Sequence, residues 1–151
     1  MGTSANIMIT SDWKNFAAAR CHYDGGLWGV GRTLDAMYND TDTILDLVAL
    51  GDMSTLEVNV EATATDERNV HRHSKGEVEM KDATEVFIPS CGEEYLYVWC
   101  TVKEEWHVGT YYTSTPNFKS LEIAVKEFLD EVPEKTIFGE DYTSQSLSVA
   151  A

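Results

Sequence analysis

The stretch Gly25-Gly26-Leu27-Trp28-Gly29-Val30-Gly31-Arg32-Thr33 has the spacing of a phosphate-binding P-loop, except that arginine stands where the lysine belongs. A P-loop works because a strand delivers a glycine-rich turn to a helix N-terminus, whose amides cradle phosphate while lysine reaches the outer oxygens. Here Ala17 to Tyr23 read as helix rather than strand, and Leu47 to Asp52 follow too closely to form a separate second strand. The expectation is a turn between two helices, with glycines supplying positive φ, and no nucleotide phosphate site.

Carboxylates form the second constellation. On one long helix, Asp35, Asp42 and Asp46 would lie near a single stripe opposite Met37, Leu45 and Val48, with Asp40 flanking it. Carboxylates one or two turns apart repeat every ~5–10 Å along a helix axis, a spacing close to that of DNA phosphates. Such a row could compete for a basic groove by the counterion release that DNA itself exploits. The plainer reading is a solvated helix face. The charge layout favours the row, because nine acidic residues lie between Asp35 and Glu67 with no lysine or arginine.

The third constellation is the hairpin from Tyr95 to Thr113. If Lys103, Glu104 and Glu105 form its loop, Val102 pairs with Trp106. Leu96, Val98, Cys100, Val102, Trp106 and Val108 then make an ordinary core face. The other face carries Tyr95, Tyr97, Trp99, His107 and Tyr111, aromatic but polar-tipped, suited to stacking a base or holding a cation. A sheet face covered by helices has the same composition. Glu104, Glu105 and His107 are the residues here with acid–base chemistry, although a turn is where exposed carboxylates are expected anyway. Glu93 and Glu94 sit in a similar turn. His71 and His73 share one side of an extended segment, but zinc needs about four ligands in fixed geometry. No serine or cysteine carries a nucleophile motif, and no metal or cofactor is expected.

These residues must be positioned by the following elements. Asn6 to Thr10 reads as a short strand. Ser11 caps a helix with Trp13, Phe16, Ala17 and Cys21 on its apolar side, ending at Gly25 and Gly26. A second helical stretch runs from Leu34 to Val48, breakable between Asn39 and Thr43 with Thr41 or Asp42 as a fresh cap, and Gly51 stops it. Leu56, Val58, Val60 and Ala62 alternate as a half-buried strand. Further strands are expected at 85–88, 95–102 and 106–113, with a short one at 136–138. Asn117 or Ser120 opens a last helix bearing Leu121, Ala124, Val125, Phe128 and Val132, which Pro133 ends.

Helices first, a strand meander next and a helix last make an α+β domain, with helices packed on an antiparallel sheet. A ferredoxin-like sandwich is the lesser alternative, since the first half supplies no βαβ unit. The expected organisation is a single domain over residues 1–138 and a mobile tail over 139–151.

Composition bounds the rest. The chain has 151 residues, 43% of them hydrophobic, and a formal net charge of −15. That charge repels nucleic acid and anionic membranes and attracts basic partners. No apolar run approaches the about 20 residues of a membrane span, and no secretory leader is evident. The widely spaced Cys21, Cys91 and Cys100 do not make a disulfide framework, so a reducing cytoplasm is expected.

Two functional readings follow. The first is a small, acidic, non-enzymatic binding or inhibitor protein that occupies a basic groove on a protein partner, such as a nucleic-acid-binding enzyme. In the extreme it would mimic nucleic acid through Asp35, Asp40, Asp42 and Asp46. In composition alone the chain is similar to small acidic inhibitors of phages and mobile elements. The second is an enzyme or binder for a cationic or nucleoside-like small molecule, using Tyr95, Tyr97, Trp99 and Tyr111 with nearby carboxylates, with the site built at a subunit interface if the chain is an oligomer.

Overall fold

A computed structural model describes residues 3–69, 80–82, 95–110 and 118–131. Its centre is β1 (Ala5–Thr10), whose six residues are all buried. A tight turn leads back into β2 (Asn15–Cys21), antiparallel to β1 with Ile7 opposite Ala19. The turn is tied by side chains. Thr10 Oγ1 accepts the Trp13 amide at 3.0 Å, and Asp12 Oδ1 accepts those of Lys14 and Asn15 at 2.8 and 2.9 Å. Trp13 takes a left-handed φ of 58°.

The helix expected from Ser11 to Gly25 is therefore a hairpin. Ala17, Ala19 and Cys21 alternate into the main core, while Phe16 is buried on the opposite face. Burial on both faces imitated helical spacing.

After β2 the chain makes a single wide turn of π-helix, Leu27–Gly31, continuous with α1 (Arg32–Met37). α2 (Thr41–Ala49) begins at the expected break, but its cap is Asp40 rather than Thr41 or Asp42. Gly51, at φ 86°, follows its end in the left-handed conformation that glycine accepts without cost.

The strand expected over Leu56 to Ala62 is instead irregular chain leading into α3 (Val60–Thr65). Asn59 decides this, because its side chain accepts the Ala62 amide at 2.7 Å as an N-cap. Val58, expected inside, is exposed.

The remaining elements among the described residues are β3 (Lys81–Asp82), β4 (Tyr95–Cys100), β5 (Glu105–Thr110), β6 (Lys119–Ser120) and α4 (Leu121–Glu131). The six strands form one sheet in the order β3-β2-β1-β4-β5-β6. Neighbours are antiparallel except β1 and β4, which run parallel with Ile7 opposite Tyr97. The α+β class thus holds, on a mixed sheet rather than a purely antiparallel one. The β1–β2 hairpin is not the βαβ start of a ferredoxin-like sandwich. Ser120 opens α4, accepting the Ile123 amide at 3.4 Å. Leu121, Ala124 and Val125 face the sheet.

α1, α2 and α4 share the main core with one sheet face, which contributes Ile7, Ile9, Tyr97, Trp99, Trp106 and Val108. Met8, Phe16, Leu96 and Val98 form a smaller cluster on the other face, under Trp13 and Phe118. No helix among the described residues is long and apolar enough to cross a membrane. The expected strands at 85–88 and 136–138, the 139–151 tail, His71, His73, Cys91, the Glu93–Glu94 pair and Tyr111 lie outside the described residues.

Candidate functional site

The β4–β5 turn sets the site. Cys100 pairs with Glu105 and Trp99 with Trp106, so the turn comprises the four residues Thr101 to Glu104. Glu104 closes it at φ 53°, donating its amide to the Cys100 carbonyl at 2.8 Å. The expected pairing of Val102 with Trp106 is displaced by an odd number of residues, which exchanges the faces of β5. Trp106 and Val108 join the aromatic face, while His107 joins Leu96 and Val98. Val102, expected in the core, is 75% exposed.

The aromatic face is the one that the helices cover. Tyr97 and Trp99 are 0% and 1% exposed, which removes them as an open stacking platform. Tyr95 is partly buried and stacks on Tyr97 with ring centroids 6.1 Å apart. The polar tips of Tyr97, Trp99 and Trp106 are used internally. The Tyr97 hydroxyl donates to the Gly25 carbonyl at 2.6 Å. Trp99 Nε1 donates to Thr41 Oγ1 at 2.9 Å, and Trp106 Nε1 to the Tyr38 carbonyl at 2.8 Å. The two indoles, edge to face at 5.5 Å, pin the α1–α2 junction to the sheet.

At that junction lies a cleft of about 100 Å³ whose lining includes Trp99, Trp106, Asp35, Glu104, Glu105 and Glu122. Its four carboxylates come from α1, the β4–β5 turn, the start of β5 and the first turn of α4, and no lysine or arginine is among its described lining residues. Burial, and then the charge of Glu122, raise the Asp35 carboxyl above its ordinary range. Glu105 Oε1 is 3.2 Å from His107 Nε2, and the His107 ring meets Trp13 edge to face at 5.1 Å. Glu104 and Glu105, singled out for acid–base chemistry, thus come together with Asp35. Sequence reasoning missed Glu122, whose only signal was its place in the first turn of the last helix.

The four aspartates expected on one stripe separate. Asp35 faces the cleft from α1. Asp40 is a cap, accepting the Thr43 amide at 2.9 Å and hydroxyl at 2.7 Å, and the amide bond holds its carboxyl low. Asp42 and Asp46 are exposed one turn apart on α2. The break at Asp40 makes two helices, so no single row exists.

The glycine-rich stretch borders a second cleft, of about 570 Å³. A strand, β2, precedes it rather than the expected helix, yet the arginine is not placed as a P-loop lysine. Arg32 lies over the Trp28 ring, 4.2 Å from its centroid. Among the described residues no group of histidine, cysteine and carboxylate side chains is arranged to hold a metal ion. No family model, curated protein or solved structure matches the chain.

Proposed function

We propose that this protein is a small acidic binding protein that docks on a basic surface of a protein partner, receiving an arginine or lysine side chain in the cleft between α1, α4 and the β4–β5 turn. One observation carries this reading: four carboxylates from separate segments converge on a cleft of about 100 Å³ with no lysine or arginine among its described lining residues. Burial of Asp35, and then the charge of Glu122, disfavour its ionised form, and a cation in the cleft favours it. Three exposed apolar side chains, Met37, Val102 and Ile123, each stand within two residues of a lining carboxylate. Apolar side chains left exposed beside charged ones are a feature of protein-binding surfaces. An inhibitor that imitates nucleic acid would be one form of this function, with Asp42 and Asp46 extending the acidic surface along α2.

The test is an amide-shift titration of the whole protein with a short arginine- and leucine-containing peptide. Saturable shifts should gather at residues 35–39, 104–106 and 120–122, and the double variant Asp35→Asn, Glu122→Gln should lose them. Shifts scattered over all acidic surfaces, and unaltered in the double variant, would sink the proposal.

A further inference from the structure

Glu105 opens β5, and the side chain at the end of a strand can serve both faces of its sheet. It lines the acidic cleft, yet its Oε1 lies 3.2 Å from Nε2 of His107, whose ring is on the other face opposite Val98. The Glu105 side chain is half exposed, whereas that of His107 is only 15% exposed. Among the described residues the His107 Nε2 has no hydrogen-bond partner, although it is closed to solvent. A buried ring nitrogen without a hydrogen bond, one carboxylate away from a cleft of carboxylates, is placed to respond to protons.

The groups around the ring are few. Trp13, from the β1–β2 turn, meets it edge to face at 5.1 Å and packs in turn on Phe118 at 5.3 Å. The register partners of His107 are Val98 on β4 and Ser120 on β6, neither of which titrates. Of the charged residues on those elements, Asp12 accepts the amides of its own turn, Lys14 is exposed, and Lys119 lies 3.4 Å from Glu127. Among the described residues Glu105 is thus the carboxylate set to meet a charge on the imidazole. A neutral imidazole leaves the Glu105 charge to the cleft. A protonated one pairs with it across 3.2 Å and sets a positive charge behind the cleft.

We infer that His107 is a pH-sensitive regulator of the acidic cleft: on protonation it draws Glu105 to itself and weakens the docking of a cationic side chain. This regulation rests on the reading of the cleft as a docking site for arginine or lysine. Linkage makes the effect reciprocal, so a bound cation also favours release of the His107 proton to solvent.

The experiment follows the His107 ring signals and the affinity of the full chain for an arginine- and leucine-containing peptide, at fixed ionic strength, across the histidine range of about pH 5 to 8. The wild type should bind about two- to five-fold more weakly at the acid end, the scale of a partly exposed ion pair, and peptide saturation should lower the His107 midpoint. His107→Gln should flatten the profile, except for the acid-side loss that belongs to the raised Asp35 carboxyl. Glu105→Gln, at a half-exposed position, provides a second variant should His107→Gln misfold. It should flatten the same interval and lower the His107 midpoint. His22→Gln removes an exposed imidazole elsewhere and should keep the wild-type profile. The inference is overturned if Glu105→Gln leaves the His107 midpoint unchanged, or if His22→Gln flattens the profile as much as His107→Gln. Peptide binding with a wild-type pH profile in His107→Gln sinks the regulation alone. No peptide binding at any pH sinks the docking reading and the regulation with it.

Discussion

The Tyr97 hydroxyl joins the centre of the sheet to the glycine-rich stretch 72 positions earlier, at a site with no exposure to solvent. Burial pushes its phenol well above the ordinary range, so it remains a donor throughout the working pH range. Tyr97→Phe should cost about 1–3 kcal/mol in urea unfolding, because the buried Gly25 carbonyl loses its partner. Asp35 should behave in the opposite sense. Its raised carboxyl means that, just above the ordinary carboxylate range, the folded protein keeps a proton that the unfolded chain has released. Stability therefore falls as pH rises through that interval, and the deficit is complete above it. Asp35→Asn should raise stability near pH 7 by up to about 0.5 kcal/mol, given solvent screening at a partly exposed group, and should lose the gain in acid. Urea midpoints at the two pH values check the sign. Both residue types were legible as chemistry in the sequence. Their surroundings were not, since a one-residue difference in a turn decided which face His107 and which face Trp106 would take.

At the scale of elements, Asp40 separates α1 from α2 and thereby places Thr41 beneath Trp99. Asp40→Ala should cost about 1 kcal/mol by thermal or urea unfolding, as N-cap removals do, while Asp40→Asn should cost little. The exposed Asp42, in the first turn of the same helix, should lose less than Asp40→Ala when replaced by asparagine. The break between these helices, the β4–β5 hairpin and the last helix were readable because caps, alternation and apolar spacing agreed. β2 was not, because alanines are weak strand formers and Phe16 and Ala17 are buried on opposite faces. α3 was not, because Leu56, Val58, Val60 and Ala62 alternate like a strand. A polar network fixes that segment instead. Buried Asn69 accepts the amides of Ser54 and Thr55 at 2.6 and 3.1 Å and donates to the carbonyls of Thr55 and Thr63. No local pattern announces such a network, or the parallel pairing of β1 with β4.

For the whole molecule the question is whether net charge or its placement makes the partner surface. A charge of −15 alone attracts any polycation, and that attraction fades with salt. A built cleft adds short-range contacts, each of which contributes its own increment to the dependence of log affinity on log salt. Two variants of equal charge separate these effects. Neutralising Asp35, Glu104, Glu105 and Glu122 changes −15 by four units to −11, and neutralising Asp42, Asp46, Glu61 and Glu67 does the same elsewhere. Both should remain folded, since exposed substitutions usually shift stability by no more than about 0.5 kcal/mol each. Against an arginine-rich peptide, the cleft variant should bind at least about ten-fold more weakly and lose roughly one unit of salt slope per contact removed, whereas the second variant should lose far less. Equal losses would assign the attraction to the bulk field and remove the cleft from the account. A greater loss in the second variant would move the binding surface to α2 and α3, where duplex DNA should then compete for the same partner.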